Sequence, residues 1–178
     1  MEEKARTTTT QGLYFGMITG AGLIILSLIL FIAGVYMNRW FSSLAYLLLI
    51  GGMVYGTLDF RKTYSNGFMT FGKAFSLCFL IGLFAGLASA IYSFVFAQFI
   101  HPGFVQEILD KAREQMVTGN PNMSEEQMET ALAWTAKFTS PVMLMIFGFL
   151  TYAGISAVFG LVAAIFLKKD DPALKTSL

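Results

Sequence analysis

Charge is what this chain has least of. Asp, Glu, Lys and Arg make up only 13% of its 178 residues, whereas a soluble domain carries roughly 25%. Cysteine occurs once, as Cys78, and histidine once, as His101. A single cysteine excludes an intrachain disulfide. Together the two singletons leave no Cys-ligated zinc set and no His cluster, so no metal site is assigned. The net charge is +1 with no basic stripe, which excludes a surface that tracks nucleic-acid phosphates. No G-x-S-x-G, H-E-x-x-H or P-loop occurs, and no acidic run has EF-hand spacing. No catalytic residue or cofactor is therefore assigned, and the chain is expected not to be an enzyme.

What is present is apolar length. Hydrophobic residues make up 56% of the chain, concentrated in four runs at about 13–37, 40–58, 74–100 and 141–167. None contains Asp, Glu, Lys or Arg. Uncharged apolar runs of about 18 residues or more are read as membrane-spanning helices. The first run exceeds the roughly 7–15 residues of a signal-peptide core, lacks a small-residue cleavage site and is expected to stay in the protein. The fold expected is one all-α membrane domain over residues 1–178, an integral four-helix bundle.

Lys and Arg near the span ends set orientation. With the N-terminus inside, Lys4, Arg6, Arg61, Lys62, Lys73, Lys168, Lys169 and Lys175 are cytoplasmic, against Arg39, Lys111, Arg113 and Lys137 outside. The bias of eight to four puts both termini in the cytoplasm of a bacterial inner membrane. Tyr14, Tyr36, Trp40, Tyr55 and Trp134 fall near the span ends, where amphipathic rings prefer to lie.

The extracytoplasmic segment would then be residues 101–140. His101-Pro102-Gly103 breaks the third helix. Phe104, Val105, Ile108, Leu109, Ala112 and Met116 share one helical face, and Gly119-Asn120-Pro121 closes that helix. Ser124 to Gln127, "SEEQ", fits a capping box for a second helix. Ser140-Pro141 reads as a cap and first-turn proline for the last span, or else as a kink in one continuous helix. The result is an amphipathic helical hairpin between the third and fourth spans. Its six acids are read as a solvated face over an apolar underside, in preference to a partner-docking or cation-binding surface. His101 is read as a plain interfacial residue.

Small residues recur at four-residue spacing: Gly12, Gly16 and Gly20; Gly52 and Gly56; Gly82 and Gly86, then Ala90; Ser156, Gly160 and Ala164. Residues four apart share a face, and small ones let helices approach closely. Every span has such a face, so packing within the bundle is preferred to self-association, though a homo-oligomer or a membrane-protein partner stays open. Besides these helix-packing glycines, a second group is marked, the membrane-interface loop with Asp59, Arg61, Lys62 and Lys73. Ionisable residues in a membrane mark ion pathways. The spans hold none, which argues against a proton-coupled pump. Asp59 comes nearest, and Arg61 and Lys62 offer it charge balance. Cys78 is read as a packing residue.

The same loop carries a family resemblance. "GGMVYG", then "DFRK", then "SNGFMTFGKAF" entering a long span is similar to the small bacterial four-span membrane proteins grouped as domain of unknown function 4199. The resemblance extends from about Leu13 to Lys169 and is most specific from Gly67 to Phe75. It implies the same four-span fold with an amphipathic segment before the last span, and no assigned activity. The leading expectation is a non-enzymatic protein acting through helix packing with itself or a membrane partner. A subunit of a small-molecule or lipid-linked transport system is second, and an intramembrane enzyme third.

Overall fold

The structure is a computed structural model and describes residues 7–169. Lys4, Arg6 and Lys175, which entered the charge bias, lie outside the described residues. Six α-helices follow in order: α1 Thr8–Ile32, α2 Arg39–Tyr64, α3 Phe71–Val95, α4 Phe104–Gly119, α5 Glu125–Phe138 and α6 Pro141–Leu167. A π-helical turn, Phe96–Ile100, extends α3. Among the described residues, four helical stretches are long and apolar enough to cross a membrane, of 25, 22, 30 and 27 residues. Even 22 residues at about 1.5 Å each give about 33 Å, against a hydrocarbon core of about 30 Å. The chain is a multi-pass membrane protein in contact with the lipid bilayer.

The helix ends follow local chemistry and not the limits of the apolar runs. α1 begins within the threonine run, where Thr7 Oγ1 accepts the Thr10 amide at 3.2 Å. It ends at Ile32, five residues before the apolar run does. Gly34 adopts φ +69°, its amide reaches the Phe31 carbonyl at 3.0 Å, and the Val35 amide reaches Leu30 at 3.0 Å. These are the paired bonds of a Schellman C-cap, which needs a left-handed residue at that point. Asn38 then caps α2, accepting the Trp40 amide at 3.0 Å. α2 continues through Asp59, Arg61 and Lys62 to Tyr64, so these three are helical. The loop is only residues 65–70, and Lys73 lies in the first turn of α3.

The chain forms two compact units. The first comprises the described residues up to Ser89 and those from Phe149 onward. In it, glycine contacts fix the directions of neighbouring helices. Gly12, Gly16 and Gly20 face Leu80, Phe84 and Ala88; the partner numbers rise together, so α1 and α3 are parallel. Thr19 faces Gly52 and Phe15 faces Gly56, while Ser156 faces Gly82 and Tyr152 faces Gly86. There one number rises as the other falls, so α1–α2 and α3–α6 are antiparallel. Leu49, Met53, Leu77, Cys78, Ile81, Ala85 and Ala164 fill the interior.

The second unit is Ala90–Gly148. It holds the helical hairpin of α4 and α5, between the third and fourth long helices. The break after α3 falls at His101, as the proline and glycine there require. Ser124 Oγ accepts the Gln127 amide at 3.3 Å, and the Gln127 side chain accepts the Ser124 amide at 3.2 Å, completing the capping box. α5 ends at Phe138 and α6 starts at Pro141, so the two helices are separate.

Candidate functional site

Two constellations in the first unit carry the residues marked from sequence. The first lies at the end where α1 starts, α2 turns into α3, and α6 finishes. Gln11 is fully buried, and its Nε2 donates to Asp59 Oδ2 at 2.7 Å across 48 residues of sequence. The same nitrogen lies 3.5 Å from the Gly56 carbonyl. Asp59 is half-buried, so an amide donor there supplies part of what its carboxylate loses from water.

The neighbouring bases diverge from Asp59. Arg61 Nη1 donates to the Leu167 carbonyl at 2.9 Å. That carbonyl is one of those left without an intrahelical partner at the end of a helix, where a cation also suits the helix dipole. Lys62 is exposed. Lys73 Nζ reaches Ser65 Oγ at 3.2 Å and stands 4.9 Å from the centroid of the Phe60 ring.

The connecting turn is held by backbone. Asn66 and Gly67 take φ of 48° and 81° in succession. Asparagine and glycine are the residues that tolerate this left-handed region. The Gly67 amide returns to the Arg61 carbonyl at 2.9 Å. Met69 and Lys169 then form an antiparallel bridge, with both amide bonds at 2.8 Å. Lys169 Nζ lies 5.5 Å from the Phe68 ring centroid.

The second constellation is the set of glycine contacts. A methyl on Gly16 would lie 2.9 Å from the Ile81 carbonyl oxygen and 2.5 Å from Phe84 Cβ. One on Gly12 would lie 2.6 Å from Leu80 Cβ, and one on Gly20 2.8 Å from Ala88 Cβ. Gly52 is closed by Thr19 and Gly82 by Ser156. Gly56 meets Phe15 and Ile81 at 2.7 Å, and Gly86 meets Tyr152 at 2.6 Å. Gly160 is looser, with Cys78 Cβ at 3.4 Å. All eight glycines marked for packing therefore have neighbours inside the chain. Gly51 and Gly154, which the four-residue pattern does not include, have nothing within 4 Å of a Cβ position.

Other reactive side chains are engaged locally. Cys78 is buried, 3.3 Å from Thr57 Oγ1. His101 Nε2 and Glu107 Oε1 lie 2.9 Å apart, and Phe104 packs near the imidazole. His101 is thus a paired residue and not a bare interfacial one. Among the described residues no three His, Cys, Asp or Glu side chains cluster as metal ligands.

The sequence reading missed Gln11. A signal was available: Gln11 and Thr19 are eight residues apart on one face, with Gly12, Gly16 and Gly20 alongside. A buried polar side chain in a tightly packed helix needs a partner. Residues 14–169 match the family model described as "Protein of unknown function (DUF4199)". No curated protein and no solved structure matches the chain.

Proposed function

This chain belongs to the DUF4199 family, whose activity is unknown, and on that premise we propose that it is a non-enzymatic protein of the bacterial inner membrane, acting through helix packing with itself or with another membrane protein. The observation that carries this reading is where its small residues are left open. The eight glycines of the four-residue pattern are occupied within the chain, while Gly51 and Gly154 are not. Each stands between two large exposed side chains one turn away: Leu47 and Tyr55 around Gly51 at 66% and 68% exposure, Leu150 and Val158 around Gly154 at 56% and 61%. A small residue flanked by large ones forms a notch that admits a ridge from another helix. Lipid chains fill such a notch less specifically than a matching helix does. The Lys and Arg bias supports an orientation with both termini in the cytoplasm.

The test uses Leu47→Cys and Leu150→Cys, beside the two notches, each in a Cys78→Ala background, labelled with a thiol-reactive benzophenone and irradiated in native membranes, so that the partner need supply only a C–H bond. A crosslinked species at either position, identified by mass spectrometry, gives the partner or shows self-association. Absence of any crosslink at both positions refutes the reading. A second reading, a subunit of a small-molecule or lipid-linked transport system, draws on the half-buried Asp59 at the end of α2. Co-isolation of transporter components in mild detergent would favour it.

A further inference from the structure

We infer that the end face made by the α2–α3 turn and the end of α6 binds an anionic phospholipid headgroup, with Lys62, Lys73, Lys168 and Lys169 supplying the charge. The first observation is that two distant segments are fixed beside each other. The Met69–Lys169 bridge and the Arg61–Leu167 bond tie the turn to the α6 terminus, so lysines from both segments share one surface. All four lysines are exposed.

Two of the lysines are also positioned. Lys73 rests over Phe60 and against Ser65, and Lys169 rests over Phe68. An ammonium over a ring keeps its full charge. With less conformational freedom left to lose, it binds an anion at lower entropic cost.

Among the described residues, the neighbouring charges leave the surface positive. Arg61 is committed to a carbonyl, and Asp59, the one acid within 56–73 and 160–169, accepts from Gln11. Asp170 and Asp171 follow in the sequence and lie outside the described residues.

The occupant follows from position and charge. The face stands at the ends of three candidate spans, the level at which headgroups lie. There an anionic leaflet attracts basic side chains with about 1 kcal/mol per lysine. A phosphodiester held by its own acyl chains is the anion concentrated at that depth.

The experiment is native mass spectrometry of the full chain in neutral detergent, titrated with phosphatidylglycerol or phosphatidylcholine of matched acyl chains. The wild-type chain should retain phosphatidylglycerol in preference. Lys73→Gln with Lys169→Gln should weaken that binding about 30-fold, two lysines at about 1 kcal/mol each, and added salt should weaken it further. Lys62→Gln with Lys168→Gln, whose side chains hold no contact described above, should act in the same direction if the first pair impairs folding. Asp170→Asn with Asp171→Asn should leave binding as tight or tighter. Equal retention of the two lipids, insensitivity to both lysine pairs, or displacement by millimolar inorganic phosphate would overturn the assignment.

Discussion

Gly16→Leu is the sharpest probe of the interior. A Cβ at this position meets Phe84 Cβ at 2.5 Å and the Ile81 carbonyl oxygen at 2.9 Å. Ordinary carbon contacts lie at about 3.5–4.0 Å. The side chain of Phe84 could rotate its ring, but its Cβ cannot move without the α3 backbone, and neither can the Ile81 oxygen. Relief therefore requires α1 and α3 to separate by about 1 Å before the rest of the leucine is placed. Overpacking of this kind costs about 1–3 kcal/mol even for added methylenes in cores that can adjust. The full leucine belongs at or above the top of that range, while the helix-propensity gain over glycine returns at most about 1 kcal/mol. A net loss of about 2 kcal/mol or more corresponds to about 4–8 °C for a chain of this size. The control is Gly72→Leu in the first turn of α3, where nothing lies within 4 Å of the Cβ position, and propensity alone predicts no loss. Both are read as melting temperatures by tryptophan fluorescence and size-exclusion in the same detergent. Equal melting temperatures, or a larger loss at Gly72, would refute the close-packing account of α1 and α3.

Gln11→Leu should destabilise the chain by about 1–2 kcal/mol, because it leaves the half-buried Asp59 without this donor while adding apolar volume. Asp59→Leu on that background should recover part of the loss, a non-additivity visible in denaturant titrations. Arg61→Gln should loosen the last turn of α6 by about 1 kcal/mol, seen as roughly fivefold faster amide deuterium exchange from 163 to 167 with little change in α1. The proposed orientation predicts that a reporter joined after Leu178 is active in its cytoplasmic form and silent in its extracytoplasmic form; the reverse pattern refutes it.

Much of this architecture was legible because the membrane imposes it. Four uncharged apolar runs, the His101-Pro102-Gly103 break and the Ser124–Gln127 capping box are local signals, and each produces the element it suggests. The helix limits were less legible, because hydropathy reports where lipid ends and not where helical dihedrals end. α1 stops at Ile32 since Gly34 offers a left-handed cap, although apolar residues continue to Met37. α2 runs past Asp59 since charge ends an apolar run without ending a helix, and Arg61 and Lys62 suit its last turn. The partners of Asp59 and Arg61 were hidden for a different reason. Gln11 lies 48 residues from Asp59, and Leu167 lies 106 residues from Arg61, and periodicity carries no information at that separation. The glycine spacing announces that some helix approaches closely, but which helix depends on the assembled fold.

The buried polar groups explain how near-uniform apolar helices find one register. Between helices in lipid there is little hydrophobic gain from any particular pairing, so shape must select it. Thr19 stands against Gly52 and Phe15 against Gly56 across the antiparallel α1–α2 pair. A slip of one helical turn in one direction brings Thr19 to Gly56, which is tolerable in itself, but drives Phe15 toward Phe60, already buried at 2% exposure. A slip in the other direction sets Thr19 against Leu48. The α3–α6 pair follows the same logic, with Ser156 on Gly82 and Tyr152 on Gly86. One turn of slip in one sense places Ser156 on Gly86 and Tyr152 on Ala90; in the other it places Ser156 on Cys78 and Tyr152 on Gly82. Each of these glycines thus receives a side chain from the facing helix, and in every slipped alignment one side chain of the pair meets a residue that has a Cβ or a glycine fitted to a side chain of different size. Small residues permit the close approach, and the unequal sizes beside them restrict it to one alignment. A double exchange, Thr19→Gly with Gly52→Thr, keeps composition and total volume while reversing this fit. It should therefore destabilise the chain by more than Thr19→Gly alone, which a uniform-packing account does not predict.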